Sequence, residues 1–153
     1  MVNWQWLTFA ELSNDMLYAL LKLRQEVFVI EQECLYMDLD DLDQKSWHML
    51  GVSQDDATVL AYARLVPPGM KFAEPSIGRV VASPAARGSG IGKQLMKEAI
   101  IAAQQQYPGA AIRISAQQYL QKFYTSLGFK QVSEMYLEDD IPHIEMVRDP
   151  APV

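Results

Sequence analysis

A glycine-rich segment between a predicted strand and a predicted helix constrains this chain more than any other feature. The apolar run at residues 77–82 is typical of a buried strand, and Pro84 ends it. Then follows Arg87-Gly88-Ser89-Gly90-Ile91-Gly92, after which apolar residues recur at helical spacing. Glycines let a backbone approach an oxygen-rich group, and the N–H groups and dipole of a helix N-terminus favour an anion. The segment therefore predicts a pyrophosphate site.

Its spacing differs from two common nucleotide-binding loops. A Walker A loop reads Gly-x-x-x-x-Gly-Lys-Ser/Thr, whereas here Arg87 takes the first position and Gln94 follows Lys93. In a dinucleotide fingerprint the third glycine would fall on Lys93, and residues 107–111 lack the acidic residue expected there. The pattern that this segment does match is Arg-x-x-Gly-x-Gly after a strand. The alternative is a glycine-rich turn that binds nothing.

Composition narrows the class of protein. A chain of 153 residues with 50% hydrophobic residues predicts a single domain, residues 1–153, with a real core. No apolar run is long enough to span a bilayer, and the N-terminus lacks the basic and apolar regions of a signal peptide. The single cysteine, Cys34, excludes an internal disulfide framework. We therefore expect a cytoplasmic protein with no membrane partner.

Net charge bears on the partner. The value of −6 argues against a nucleic-acid surface, which needs a basic stripe, and would suit a cationic partner.

Periodicity and turn residues predict an alternation of strands and helices. We expect a strand at residues 4–8, a helix from Asp15 to around residues 29–32, strands at 47–53, 58–66 and 77–82, a helix ending at Gln106, a strand at 111–116, a helix at 119–127, and a hairpin of strands 132–137 and 143–147.

Two motifs give the chain a family resemblance. The Arg-x-x-Gly-x-Gly loop and Phe123-Tyr124-Thr125-Ser126-Leu127-Gly128-Phe129 resemble the GCN5-related N-acetyltransferase (GNAT) superfamily. Residues 24–43 and Pro-His-Ile-Glu-Met at 142–146 are similar to its ElaA-like branch. The predicted order agrees with the GNAT order, apart from a second N-terminal helix. The resemblance covers nearly the whole chain. It implies an α/β (α+β) GNAT fold, with a mixed central sheet of about six to seven strands flanked by helices.

The resemblance also implies acetyl-CoA as co-substrate and no metal. A strand edge would bind the pantetheine arm, and the glycine loop would bind the pyrophosphate. The implied cofactor-binding residues are Val80, Val81, Ala82, Arg87, Gly88, Ser89, Gly90, Ile91, Gly92, Lys93 and Gln117.

Tyr124 is the candidate for proton donation. Aminolysis of a thioester expels a thiolate, whose solution pKa is roughly 8.5, and a nearby phenol can protonate it. The resemblance places Tyr124 near the sulfur. The alternative is a tyrosine that only fills the core.

An amine acceptor must lose a proton before it attacks, because a free alkylamine has a pKa of about 10.4. The candidate bases are Glu31, His48 and His143, and sequence leaves the choice open. Each histidine alone is more often a hydrogen-bonded structural residue.

In GNAT folds the first helix and the loop after it form a wall of the acceptor site. The implied acceptor-binding residues are Glu31, Tyr36, Asp38, Asp40 and His143. The acidic residues of this stretch, which also include Glu33, Asp41 and Asp43, would attract a cationic amine. The alternative is a solvated acidic loop.

Two other uses of this stretch have weaker signals. Asp38-x-Asp40 lacks the turn glycine and terminal glutamate of a calcium loop. A thiol hydrolase would pair Cys34 with His48, but a lone cysteine is usually a small apolar side chain.

The sequence thus predicts an N-acetyltransferase in which a small-molecule or peptide amine attacks acetyl-CoA directly. The alternatives are a non-catalytic acyl-CoA-binding module and a general phosphate-binding scaffold. A homodimer is left open.

Overall fold

Two four-stranded antiparallel sheets with helices packed on them form the fold of residues 1–150, which are those that the computed structural model describes. The strands are β1 (Val2–Thr8), β2 (Trp47–Ser53), β3 (Val59–Val66), β4 (Ser76–Ala82), β5 (Ile112–Gln117), β6 (Phe129–Gln131), β7 (Tyr136–Glu138) and β8 (Ile141–Arg148). The α-helices are α1 (Asn14–Arg24), α2 (Ile91–Gln106) and α3 (Gln121–Thr125). The expected mixed fold of strands and helices is confirmed.

The first sheet has the order β1-β2-β3-β4, and in the second β8 pairs with β5, β6 and β7. Strands β4 and β5 are therefore edges of different sheets. The Arg113 N–H donates to the Pro75 carbonyl at 3.1 Å, which joins the sheets where these two strands begin. Beyond that point each strand keeps an unpaired edge, so a gap lies between them.

Strand β4 contains a bulge beside this gap. Gly78 pairs with Arg64 and Val81 with Tyr62, so Arg79 and Val80 together oppose the single residue Ala63. Arg79 has a φ of 51°, in the left-handed region that non-glycine residues seldom adopt. The bulge shows that the backbone is bent at the edge of the gap.

The two faces of the first sheet carry different helices. On β3, Ala61, Ala63 and Leu65 join the core around α2, whereas Tyr62 joins the core around α1. This alternation follows from the two-residue period of a strand. The predicted apolar face of α2 is confirmed, since Leu95, Met96, Ala99, Ile100 and Ala103 are all buried.

The first helix runs as far as its periodicity predicts. Ser13 caps α1 by accepting a hydrogen bond from the Met16 N–H at 3.1 Å. The chain then continues as a π-helical segment, Gln25–Glu31. No helix among residues 1–150 has the length and apolarity needed to cross a membrane.

The prediction for the final hairpin is wrong in part. Of the strand expected at residues 132–137, only Tyr136 and Leu137 lie in a strand, β7, and Val132, Met135 and Leu137 are exposed. Their apolar pattern therefore does not mark a buried face. The turn between β7 and β8 is also tighter than expected, because Asp139 (φ 50°) and Asp140 (φ 62°) alone connect the strands.

A buried set of ion pairs attaches the loop at 33–45 to the rest of the fold. We call it the arginine–aspartate cluster; its members are Arg24, Arg64, Arg79, Asp38, Asp40 and Asp43. Arg24 contacts Asp38 at 2.8 Å and Asp43 at 2.7 Å. Arg64 contacts Asp43 at 2.9 Å and Asp40 at 2.8 Å, and Arg79 contacts Asp38 at 2.7 Å. The arginines belong to α1, β3 and β4, so the cluster holds the loop against all three elements.

The pKa values of the cluster follow from these contacts. Burial alone would raise the pKa of Asp40 and Asp43, but the hydrogen bonds and charges of Arg24 and Arg64 outweigh it. Both carboxyl groups therefore have pKa values below their usual range and stay ionised.

We predict that Asp43→Asn lowers the free energy of unfolding by about 3 kcal/mol or more, because it leaves two buried arginines short of a partner. Urea unfolding measures this, with the exposed Asp41→Asn as control. A lowered folded-state pKa contributes stability that is complete above the unfolded value, about 3.9, and is lost as the pH falls through the folded value. The variant should thus lose less stability than the wild type below about pH 4. Equal losses of stability in the variant and the wild type would contradict the lowered pKa of Asp43.

Candidate active site

The gap between β4 and β5 is a cavity of about 460 Å³. Its walls include Gly78 and Val80 of β4, and Ser115 and Gln117 of β5. Tyr124 of α3 and His143 of β8 also line it. The third side is the loop after the π-helical segment, through Cys34, Tyr36 and Asp40. The cavity therefore brings together residues that lie far apart in the sequence.

Strand β4 leads from this cavity to the predicted anion loop, and the strand, loop and helix are all present as expected. Gly88 (φ 83°) and Gly90 (φ 81°) adopt a conformation that favours glycine. A side-chain carbon added at Gly88, Gly90 or Gly92 would meet no protein atom within 4 Å, so the loop faces open space.

The loop also has hydrogen-bond donors to offer. The first bond of α2 runs from the Gln94 N–H to the Gly90 carbonyl at 3.2 Å. The N–H groups of Ile91, Gly92 and Lys93 consequently have no acceptor within the helix. Free donors and open space are what a phosphate group needs, so these residues fit a pyrophosphate.

Arg87 and Glu31 form an exposed ion pair beside the loop. The two guanidinium nitrogens of Arg87 contact the two carboxylate oxygens of Glu31 at 2.7 and 3.0 Å. The hydrogen bonds from Arg87 lower the pKa of Glu31. Glu31 is not among the residues that line the cavity. The structure thus places Glu31 at the anion loop, and its role as a base or an acceptor ligand stays a prediction.

Tyr124 does line the cavity, although most of its side chain is buried. Its ring meets the Phe129 and Phe123 rings edge-on, with centroids 5.9 and 5.1 Å away. Its hydroxyl takes part in none of the side-chain hydrogen bonds found among residues 1–150. Burial raises the pKa of Tyr124, so the phenol keeps its proton at neutral pH. The side chain is therefore a proton donor that faces a cavity.

The expectation that His48 is a base is wrong. Its side chain is fully buried, and both ring nitrogens are occupied, Nδ1 by the Tyr62 hydroxyl at 2.6 Å and Nε2 by the Asp43 carbonyl at 2.9 Å. Burial lowers its pKa, and it does not reach the cavity. The two hydrogen bonds are those of a structural histidine in the core.

Asp38 and Asp40 are both bound to arginines of the arginine–aspartate cluster, in which the positive and negative charges balance. They therefore supply little free negative charge. Asp40 lines the cavity, and the attraction of either residue for a cationic amine stays a prediction. Tyr36 lines the cavity as predicted, and its hydroxyl donates to Asp38 at 3.1 Å. Whether Tyr36 contacts an acceptor stays a prediction.

Other polar groups of the cavity carry no sequence motif. Ser115 bonds to the Tyr136 hydroxyl and donates to Glu138 at 3.3 Å, and the Glu138 carboxylate lies 3.4 Å from His143 Nε2. Pairing of β8 with both β5 and β7 brings these residues together. Lys71 also lines the cavity. Desolvation lowers the pKa of its amine, although the residue as a whole is exposed. The grouping of Ser115, Glu138 and His143 depends on strand register, which the sequence did not predict.

Cys34 is an unsuitable nucleophile. Its Sγ donates to the Asp139 carbonyl at 3.4 Å. Desolvation, with the charges of Asp139 and Asp140, raises its pKa, so little of it is thiolate near neutral pH. Among residues 1–150, no three His, Cys, Asp or Glu side chains are grouped as metal ligands.

Comparison with known proteins identifies the relatives of this chain. Residues 13–149 match the Acetyltransferase (GNAT) domain. Protein ElaA of Escherichia coli is 44% identical over 151 residues, which cover 97% of each chain. A UPF0039 protein of Synechocystis is 44% identical over 146 residues, covering 95% of this chain and 94% of the relative.

Solved structures agree with this. A crystal structure of an acyl-CoA N-acyltransferase from Pseudomonas aeruginosa superposes with a TM-score of 0.91 at 45% identity, covering 97% of this chain and 99% of that one. The crystal structure of Escherichia coli ElaA gives a TM-score of 0.90 at 42% identity, covering 97% and 100%.

We predict that iodoacetamide alkylates Cys34 more slowly than it alkylates glutathione near neutral pH, because the raised pKa leaves little thiolate. The rate should increase as the pH rises. Mass spectrometry of the alkylated protein measures it, with glutathione as the reference thiol. Alkylation as fast as that of glutathione would contradict the pKa assignment.

Proposed function

This chain belongs to the GNAT acetyltransferase family, and on that premise we propose that it transfers an acetyl group from acetyl-CoA directly to an amine. The coarser assignment, a CoA-dependent acyltransferase, follows from the family. The observation that carries the proposal is the cavity between the separated edges of β4 and β5, with the Tyr124 phenol facing it. A thioester held there would lie beside a proton donor.

One molecule of acetyl-CoA would contact the protein in two regions, the edge of β4 and the loop that follows this strand. The free edge of β4 offers backbone groups to the amides of pantetheine, as a sheet edge does to an added strand. We assign this contact to Val80, Val81 and Ala82, with Gln117 across the cavity. The loop from Arg87 to Lys93 would bind the pyrophosphate, mainly through its free N–H groups. Acetyl-CoA supplies the thioester; the protein supplies these contacts and the proton donor.

Tyr124 would act when the thioester breaks. A thiolate is a better leaving group when a proton reaches the sulfur, and the raised pKa keeps that proton on the phenol until then. The same raised pKa makes the tyrosinate an unstable product, so the phenol must be reprotonated within the same turnover. No other cavity group combines burial, a free hydroxyl and a neutral proton-bearing form in this way.

The competing proposal is a module that binds acyl-CoA without turning it over. It would use the same loop and strand edge. The two differ in thiol release, because only an enzyme frees the CoA thiol faster when an amine is present. Incubation of the protein with acetyl-CoA and a panel of small-molecule and peptide amines tests this directly. That the acceptor is a small-molecule or peptide amine, that the chain forms a homodimer and that the protein is cytoplasmic all stay predictions.

We predict that Gly92→Glu weakens CoA binding at least tenfold, or about 1.4 kcal/mol. The new side chain would enter open space, so nothing in the protein resists it. A glutamate in the first turn of a helix is also favourable to folding. Its charge, however, would occupy the phosphate position. Calorimetry measures the affinity, and thermal unfolding confirms that the fold is kept.

Gln94→Glu is the matched control. It adds the same charge at an exposed position of the same helical turn, but Gln94 follows the residues whose N–H groups are free. It should weaken CoA binding much less. If both variants bind as the wild type does, the pyrophosphate is bound elsewhere.

We predict that Tyr124→Phe lowers kcat by roughly 10²–10⁴-fold, the usual share of general acid catalysis, with little change in CoA affinity. The ring and its packing against Phe129 remain. A thioester whose thiol is more acidic needs less protonation of the leaving sulfur, so Tyr124→Phe should lower its kcat by a smaller factor. Acetyl-CoA is therefore compared with such a thioester on both proteins. An equal loss for both substrates would show that Tyr124 only positions or packs.

A further inference from the structure

We infer that His143 is the general base that takes the proton from the amine, and that Glu138 positions and stabilises it. The inference rests on the proposed function and deepens it. Of the three candidate bases, only His143 lines the cavity that Tyr124 also lines. Glu31 is paired with Arg87 at the anion loop, and both nitrogens of His48 are bound in the core.

The hydrogen bond at Nδ1 fixes the form of the His143 ring. Nδ1 lies 2.7 Å from the Ile141 carbonyl, which can only accept a hydrogen bond. Nδ1 must therefore carry a proton. In the neutral imidazole the lone pair is then on Nε2, which is the atom that can take a proton.

Glu138 is placed to stabilise the protonated ring. Its Oε2 lies 3.4 Å from Nε2 but forms no hydrogen bond with it in this geometry. The lone pair thus stays available to an entering amine. Once Nε2 has gained a proton, it can donate a hydrogen bond to this carboxylate. The Tyr136 ring stacks on His143 with centroids 6.1 Å apart, which limits how far the imidazole can turn.

Strand pairing brings this base to the cavity that the acid also lines. His143 pairs with Gln117 of β5 on one side and with Tyr136 of β7 on the other. Gln117 is the last residue of β5, and the chain reaches α3 and Tyr124 directly afterwards. Base and acid therefore come from adjacent elements and share one cavity, so a thioester between them could meet both.

The step balances as follows. The amine enters as a primary ammonium ion and gives one proton to His143 Nε2. The nitrogen lone pair then forms a bond to the acetyl carbon, and the carbon–sulfur bond breaks with its electron pair on sulfur. The Tyr124 proton passes to sulfur, and a second nitrogen proton restores the phenol. His143 finally releases its proton to water. The products are the N-acetyl amine, the CoA thiol and one proton.

Other titratable side chains near His143 could affect the pH dependence of activity. The other titratable groups that line the cavity are Cys34, Tyr36, Asp40, Lys71, Arg79, Tyr124, Glu138 and Asp139, and Tyr136 stacks on the His143 ring. Asp40 and Arg79 form ion pairs within the arginine–aspartate cluster. Lys71 is the main rival base, because it lines the same cavity.

The first test compares substitutions of His143. Asparagine keeps an N–H near the Nδ1 position for the Ile141 carbonyl but removes Nε2. His143→Asn should lower kcat/KM by roughly 10²–10⁴-fold. It should also abolish the acid limb of the kcat/KM–pH profile, since that limb reports protonation of the base. A merely structural role would lower activity and leave the limb in place.

Two further variants assign the limb. Glu138→Gln should keep the limb and lower kcat, because the protonated ring loses the carboxylate beside it. Lys71→Gln should leave the limb where it is. The inference is overturned if His143→Asn retains the limb, or if Lys71→Gln removes it.

The second test needs no turnover. The chain has only two histidines, so nitrogen-15 spectra of the histidine rings are readily assigned with His143→Asn. We expect neutral His143 to carry its proton on Nδ1, and a proton on Nε2 instead would overturn the inference. If no amine stimulates thiol release while the Nδ1 form is observed, it is the proposed function that fails.

Discussion

The separation of β4 from β5 is the constraint on which the remaining structure depends. The two strands meet through the bond from Arg113 to Pro75 and then form no ladder with each other. Continuous pairing would fill the gap and use the backbone groups of both edges. Because the strands part, the fold has a cavity, two free edges and a route along β4 to the anion loop. Tyr124 and His143 have access to that cavity only because the strands do not pair.

The arginine–aspartate cluster has a related effect on the other side of the cavity. It turns an acidic stretch of sequence into a rigid wall with balanced charge. A buried ion pair is expensive to desolvate, so such a cluster is poor evidence of added stability over an apolar core. It does give the loop at 33–45 one position, because each carboxylate has a specific arginine. It also bonds Arg79, the strained residue of the bulge, to Asp38.

Local patterns predicted what depends on local structure. The strand–loop–helix unit, the apolar face of α2 and the Ser13 cap each follow from residues that are close in sequence. The site was predictable only where a motif carried it, as with the glycine loop and Tyr124. The ion pairs of Asp38 and Asp40 were not, since their arginines are up to 41 positions away. The grouping of Glu138 with His143 depends on the register of β7 against β8, which the exposed apolar residues before the turn obscured.

The turn between β7 and β8 has a consequence for protein engineering. A two-residue hairpin with both residues in the left-handed region is best made by Asn-Gly, and this chain uses Asp139 and Asp140. Aspartate adopts that region more readily than most residues but less readily than glycine. Some stability is thus forgone at this turn. Asp139 lines the cavity and its carbonyl accepts a hydrogen bond from Cys34, so engineering the turn for stability would also alter a wall of the cavity.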